Sequence, residues 1–306
     1  MKKKIIIGTR GSELAIWQAQ FVEQLLVREF PSLLVENRII ETKGDKILNK
    51  PLELIGGKGL FTKELENELL NGTIDIAVHS LKDMPTELPA GLNLLGVTKR
   101  GPASDVLIVR SNEFSLATLP PSAAVATGSI RRKAQLFYKR PDLRIADLRG
   151  NINTRVQKFL ESDWHAMVLA KAGLERLGIS NLIIKELSFD EMLPAVGQGA
   201  LGIEGRKDDN ETIDLIKAII DENTQVCTEA ERAFLKALGG GCKTPIAAYC
   251  SLGDNDSLVL EGLVAATDGS VIIREKMTGH YDKPEMLGTL LAEELIQKGA
   301  KQLLKK

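Results

Sequence analysis

Apolar residues run almost unbroken from residue 4 to 9 and stop at Arg10, which predicts a short buried strand feeding a polar loop. Behind it Leu14, Trp17, Phe21 and Leu25 recur at helical spacing, so 13–28 reads as an amphipathic helix opening at Ser12. The alternation continues with strands over 34–40, 74–80 and 92–98. A helix over 61–70 presents Phe61, Leu65, Leu69 and Leu70 on one face. Lys99-Arg100-Gly101-Pro102 marks a crossing into a second alternating unit. Its strands are predicted at 105–110, 123–126, 144–147 and 166–170, with helices over 129–138 and 153–162 between them. The glycine-bearing stretch 193–206 passes back toward the first unit. From about Thr212 the pattern becomes helical, and a glycine loop at 239–241 follows. Strands then start at Ile246, Leu258 and Val271, before a helix over 284–296. Strands alternating with helices predict α/β units, whereas strands in succession predict a small antiparallel α+β unit.

Composition narrows the class. Hydrophobic content of 43% with 26% charged residues suits a globular chain with a sizeable core, and 306 residues suit two or three domains. Only 4% is aromatic, which leaves few platforms for stacking single-stranded nucleic acid. Lys and Arg number 40 against 41 Asp and Glu, so there is no general pull on polyanions and nucleic acid is not an expected partner. No apolar run approaches the length of a membrane span, and the Met1-Lys2-Lys3-Lys4 start loses its apolar run at Ile7. Cys227, Cys242 and Cys250 are odd in number and widely spaced, with only His79, His165 and His280 besides. Neither a disulfide framework nor a metal site is expected. A cytoplasmic monomer is the expected state.

Candidate chemistry gathers where predicted strands end. Thr9-Arg10-Gly11-Ser12 joins a strand to a helix through a polar loop, an anion-binding arrangement, although Ser12 equally serves as a plain N-cap. Ile55-Gly56-Gly57-Lys58-Gly59-Leu60-Phe61 lacks a Walker ending and reads as a lid or a surface loop. His79-Ser80-Leu81-Lys82-Asp83-Met84-Pro85 delivers Lys82 and Asp83 at a strand's C-terminal end, where ligand groups gather in parallel α/β sheets. Asp83 is there either an acid/base candidate or a turn-capping carboxylate. In the second unit Arg131, Arg132, Arg149, Arg155 and Arg176 stand near successive βα loops, and Glu175 is the only acid close by in those loop sequences. Arginines converging on one cleft predict a small polyanionic ligand, because the guanidinium favours bidentate contact with carboxylate or phosphate. Gln198 could donate into the same cleft. Gly239-Gly240-Gly241-Cys242-Lys243-Thr244-Pro245 places a thiol at a loop tip beside a lysine that favours the thiolate. A helix C-cap with a filler cysteine fits the same residues.

Taken in order, seven stretches resemble the porphobilinogen deaminase (hydroxymethylbilane synthase) family over nearly the whole chain. They are Thr9 to Ser12, Gly56 to Phe61, His79 to Pro85, Ser129 to Arg132, Leu148 to Arg155, Pro194 to Ala200 and Gly240 to Pro245. Gly11, Gly128 and Gly205 depart from the residues common there, and none of them removes a charged or nucleophilic group. The resemblance implies an α/β fold of two doubly wound, periplasmic-binding-protein-like domains plus a small α+β C-terminal domain. The domains would be 1–99 with about 200–217, then 100–199, then 218–306. It implies a dipyrromethane cofactor built from the enzyme's own substrate and held on Cys242 by a thioether, with Cys227 and Cys250 structural. The implied transferase joins four porphobilinogens head to tail on that primer, for tetrapyrrole and heme biosynthesis, releasing ammonia and 1-hydroxymethylbilane.

Every pyrrole carries an acetate and a propionate, hence the cations. The resemblance implies Asp83 and Lys82 as catalytic, with Thr127, Ser129, Arg131, Arg132, Lys82 and Asp83 around the cofactor. Arg10, Ser12, Lys58, Arg149, Arg155, Arg176 and Gln198 would bind substrate. Asp83 would stabilise positive charge as the aminomethyl group leaves. Two rivals share parts of this pattern. A solute-binding protein shares the two-lobed fold but has no use for Cys242. A cysteine hydrolase would pair Cys242 with His79 at roughly 3 Å.

Overall fold

The computed structural model describes residues 2–42, 62–241 and 244–304. The chain opens with β1 (Lys4–Thr9), α1 (Glu13–Glu29) and β2 (Leu34–Ile39), then α2 (Lys63–Leu70), β3 (Ile76–Ser80) and β4 (Leu92–Val97). Next come β5 (Asp105–Val109), β6 (Ala124–Ala126), α3 (Ile130–Lys139), β7 (Arg144–Ala146) and α4 (Ile152–Glu161). They are followed by β8 (Ala166–Ala170), α5 (Lys171–Arg176) and β9 (Ile183–Glu186). β10 (Leu201–Arg206), α6 (Asn210–Lys217) and α7 (Glu222–Ala237) lead to β11 (Ile246–Leu252), β12 (Ser257–Ala265), β13 (Ile272–His280), α8 (Pro284–Gln297) and α9 (Ala300–Leu304). Two compact units result: Met1–Arg100 with Ala200–Gln225, and Gly101–Gly199 with Val226–Lys306.

Each unit has a five-stranded sheet, ordered β2-β1-β3-β10-β4 in the first and β7-β6-β8-β5-β9 in the second. The two orders are one pattern. A parallel trio is followed by an antiparallel strand and then an outer strand. In both, the antiparallel member is the first strand after the chain enters that stretch of the unit, β10 after Ala200 and β5 after Gly101. The sheets are therefore mixed rather than wholly parallel. Helices cover both faces. In the first unit Ile5, Ile7, Ile76 and Val78 pack with Ala19, Val22 and Leu26 of α1 and with Leu215 and Ile216 of α6. On the opposite face Ala77 packs with Leu65 and Leu69 of α2.

Two differences from the sequence pattern have plain causes. The residues of α1 in full burial are Ala15, Gln18, Ala19, Val22 and Leu26, one position on from the bulky stripe. Small alanines let the helix sit close to the sheet, while Trp17 and Phe21 stack on each other at 5.3 Å beside it. The second difference is β10. The sequence pattern only passes this stretch back toward the first unit, where it is a buried inner strand. A Cβ at Gly202 would stand 2.7 Å from the Met84 sulfur, and one at Gly205 2.5 Å from Leu95 Cδ1. Here glycine marks close approach inside a sheet rather than a turn.

The smaller sheet is an antiparallel meander, β11-β12-β13. Phe234 of α7 and Leu291 and Leu295 of α8 pack with its Leu258 and Leu260. Ala247, Leu263 and Ala265 instead meet Ala134 of α3 and Leu193, so this sheet belongs to the second compact unit.

Candidate active site

In the first unit β1 and β3 are parallel neighbours, Ile7 opposite Ile76 and Gly8 opposite Ala77, so their C-terminal ends share one sheet edge. Half-buried Arg10 follows β1, and Ser12 caps α1 by accepting from the Ala15 amide at 3.4 Å. After β3 the chain makes a short 3-10 turn, Leu81–Asp83, carrying half-buried Lys82 and exposed Asp83. The turn is anchored from both ends of the strand edge: Gln18 Nε2 donates to Ser80 Oγ at 2.8 Å, and the Leu81 amide donates to the Ala200 carbonyl at 3.0 Å. Lys58 and the rest of its glycine loop lie outside the described residues.

His79 points into the fold. Its Nε2 is 3.0 Å from Glu204 Oε2, with 6% of the histidine side chain and none of the glutamate exposed. Glu66 of α2 is buried and accepts from Thr62 Oγ1 at 2.5 Å. Burial pushes its carboxyl up, and the neighbouring Glu204 and Glu64 add to that against the opposing effects of Thr62 and His79. Cys242, which the hydrolase reading would pair with His79, lies outside the described residues.

The second unit repeats the edge. β6 lies between β7 and β8 in parallel, and β5 runs antiparallel with Asp105 opposite Ala170, so the start of β5 sits beside the end of β8. Thr127 is buried and accepts from the Ser129 amide at 3.2 Å. Ser129 in turn caps α3, accepting from the Arg132 amide at 3.4 Å. Asn151 caps α4 by accepting from Thr154 at 2.8 Å. Neither helix has an acid in its first turn; α3 carries Arg131 and Arg132 there instead, and α4 carries Arg155 just beyond. Cations at the positive end of a helix dipole are unfavourable unless an anion joins them.

Arg131 and Arg132 correct the expectation of arginines standing open in a cleft. Each is only 5% exposed, and both meet Asp105, which is fully buried. Arg132 donates to Asp105 Oδ1 through Nε at 3.1 Å and Nη2 at 2.7 Å, while Arg131 Nη1 lies 2.8 Å from Oδ2. Backbone carbonyls take further donors: Leu193 from Arg131 at 2.7 Å and Val168 from Arg132 at 3.0 Å. Burial opposes the Asp105 charge, yet the guanidinia of Arg131 and Arg132 hold its carboxyl well below the usual carboxylate range. Burial also pulls Arg131 down, against Asp105.

Gln198 is likewise turned inward. It is 1% exposed, and its Nε2 donates to the Ala103 carbonyl at 2.7 Å and Asp105 Oδ1 at 2.9 Å. Glu175, which acts on Arg176, is not the only acid close to these arginines. Asp105 serves Arg131 and Arg132, and Asp147 Oδ2 accepts from Arg149 Nε at 2.7 Å.

Three arginines remain half-buried at the same edge. Arg149 follows β7, Arg155 Nε donates to the Gly150 carbonyl at 2.7 Å, and Arg176 Nη2 donates to the Gly199 carbonyl at 2.6 Å. Burial lowers Arg176 to about 10, partly offset by Glu175, so it stays cationic at neutral pH. Its acceptor is set by a glycine: Gly199 has φ +90°, and a Cβ there would stand 2.5 Å from the Gly101 carbonyl.

Cys242 and Lys243 lie outside the described residues. Cys227 and Cys250 are buried, and the Cys250 amide donates to Glu231, which also accepts from Gly197 at 2.7 Å. Among the described residues no cluster of acids, histidines and cysteines could hold a metal ion, and no helix is long and apolar enough to cross a membrane.

A family model described as "Porphobilinogen deaminase, dipyromethane cofactor binding domain" matches residues 5–214, and "Porphobilinogen deaminase, C-terminal domain" matches 225–297. A porphobilinogen deaminase of Chlorobium phaeobacteroides (strain BS1) is 49% identical over 99% of this chain and 98% of its own. That of Chlorobaculum tepidum is 48% identical over the same shares. Among solved structures, the methionine binding protein MetQ aligns at TM-score 0.46 and 15% identity over 71% of this chain and 90% of its own.

Proposed function

The chain belongs to the porphobilinogen deaminase family, and we propose how its own residues carry out the reaction of that family. The activity is that of a transferase, hydroxymethylbilane synthase, which condenses four porphobilinogens head to tail on a dipyrromethane-type primer. In each condensation the aminomethyl C–N bond breaks, ammonia leaves, a C–C bond forms to a pyrrole α-carbon, and that carbon loses its proton.

The observation that carries the reading is the charge around Asp105. Two buried guanidinia face one buried carboxylate, which leaves a surplus positive charge at the acid-free first turn of α3. A carboxylate-bearing group fits that surplus, and a dipyrromethane carries several. Thr127, Ser129, Arg131, Arg132 and Lys82 would hold it, and Cys242 would fix it through a thioether. When bound, the group supplies the free α-carbon from which the chain grows.

Arg10, Ser12, Lys58, Arg149, Arg155 and Arg176 bind and orient the acetate and propionate groups of substrate. Losing one such cation would cost about 2–5 kcal/mol. Exposed Asp83 offers its charge where positive charge develops as ammonia leaves, and accepts from a pyrrole N–H that becomes more acidic at that moment. Lys82 beside it holds a carboxylate in register. Buried Cys227 and Cys250 serve the packing of the second unit.

The test is stoichiometric turnover. The purified chain incubated with porphobilinogen should release one ammonia per porphobilinogen consumed and one 1-hydroxymethylbilane per four. A chain that binds porphobilinogen without releasing ammonia would contradict the reading.

A further inference from the structure

We propose that Asp105 is a positioning residue for cofactor assembly: it touches no ligand, and it fixes the two guanidinia that do. The assignment rests on the reading above that Arg131 and Arg132 receive a cofactor carboxylate.

The geometry is specific. Asp105 is the first residue of β5, a strand buried at every position, and its place beside the end of β8 is set by the Asp105–Ala170 register. Its Oδ1 takes both Nε and Nη2 of Arg132, a two-point contact that sets the plane of the guanidinium as well as its position. Its Oδ2 lies 2.8 Å from Arg131 Nη1 in an ion pair, and Gln198 closes the cluster by bridging Asp105 Oδ1 and the Ala103 carbonyl. Each guanidinium is thus located by one backbone carbonyl and one shared carboxylate. A guanidinium has five N–H donors, and both forks keep donors beyond those used here.

A single carboxylate between two arginines does two things that a ligand carboxylate needs. It holds the forks still before the ligand arrives, so ordering need not be supplied on binding. It also cancels only part of their charge, so attraction for an anion survives. Because Asp105 stays ionised far below neutral pH, this holds across the physiological range.

A residue that served folding alone would change stability and leave cofactor loading untouched in the folded protein. Asp105→Asn and Gln198→Met separate the two roles. The methionine change removes the amide donors at similar volume and leaves both arginines paired, so it keeps the fold if the aspartate change does not. Each chain would be made without cofactor, checked for native near-UV circular dichroism, and incubated with porphobilinogen. Covalent adduct is then followed by intact mass against time.

Adduct formation slowed roughly 10-fold to 100-fold in Asp105→Asn, and several-fold in Gln198→Met, is the expected result for folded protein. Folded variants that load at the wild-type rate, whatever their melting temperatures, overturn the assignment. A wild-type chain that forms no adduct overturns the underlying reading and this assignment with it, so the two failures are distinguishable.

Discussion

Asp83 stands exposed at the end of a three-residue turn, so its side chain contributes little to the core and much to whatever occupies the β1–β3 edge. Asp83→Asn keeps the size and loses the charge; kcat should fall by about 10² or more, read by single-turnover kinetics on protein of verified cofactor content. Asp83→Glu moves the carboxylate by roughly 1 Å and should keep partial activity. Elongation at the wild-type rate by Asp83→Asn would return this residue to turn capping. Glu66 makes the opposite kind of prediction. An acid whose folded pKa is raised holds its proton more tightly when folded, so stability falls as pH rises from the ordinary carboxyl value through the folded one. Glu66→Gln removes that loss while its carbonyl still accepts from Thr62. Urea midpoints of variant and wild type should agree near about pH 4, and the variant should be higher near about pH 8. Equal midpoints at both would show that Glu66 carries no such burden. The places of Ser12, Lys82, Asp83, Ser129 and the βα-loop arginines beyond strand ends were legible because a strand followed by a polar turn and a helix stands out in the pattern. Asp105 was not, since it reaches Arg132 from 27 residues earlier on a strand running the other way.

At the scale of elements, periodicity located most strands and helices within a residue or two and failed where side-chain size, not polarity, was decisive. β10 carries glycines because neighbours crowd it, and no pattern in one strand reveals its neighbours. Gly128 is the same effect at the site. A Cβ there would lie 2.5 Å from the Leu148 carbonyl, which joins the loop after β6 to the loop after β7. A serine at that position therefore does not fit this chain without backbone movement. Gly128→Ser should lower stability by about 1–3 kcal/mol in chemical denaturation. It should also reduce cofactor occupancy, since Ser129 and the first turn of α3 would shift with it. A variant with unchanged stability would mean that the loop yields more easily than its contacts indicate.

The whole molecule repeats one sheet pattern twice and attaches a smaller antiparallel sheet to the second unit, and both large sheets put their polar cargo at strand ends. Burial divides the arginines of the second unit. Arg131 and Arg132 are enclosed with Asp105, whereas Arg149, Arg155 and Arg176 remain half-buried. Arg131→Leu and Arg132→Leu should therefore leave mostly apoprotein. Arg149→Leu and Arg155→Leu should load cofactor and stall at early additions, and Arg176→Leu should stall later or release slowly. Intermediates resolved by intact mass would test this, and identical profiles for all five would refute the division. Cys242, singled out by its glycine loop and the lysine beside it, lies outside the described residues. The most direct measurement is therefore the mass of the purified wild-type chain before any substrate is added, followed by peptide mapping. A covalent adduct of two pyrrole units is expected on the peptide containing Cys242, absent from Cys242→Ser and retained by Cys227→Ala and Cys250→Ala. An active wild-type chain at its unmodified mass, or an adduct mapped to another residue, would contradict it.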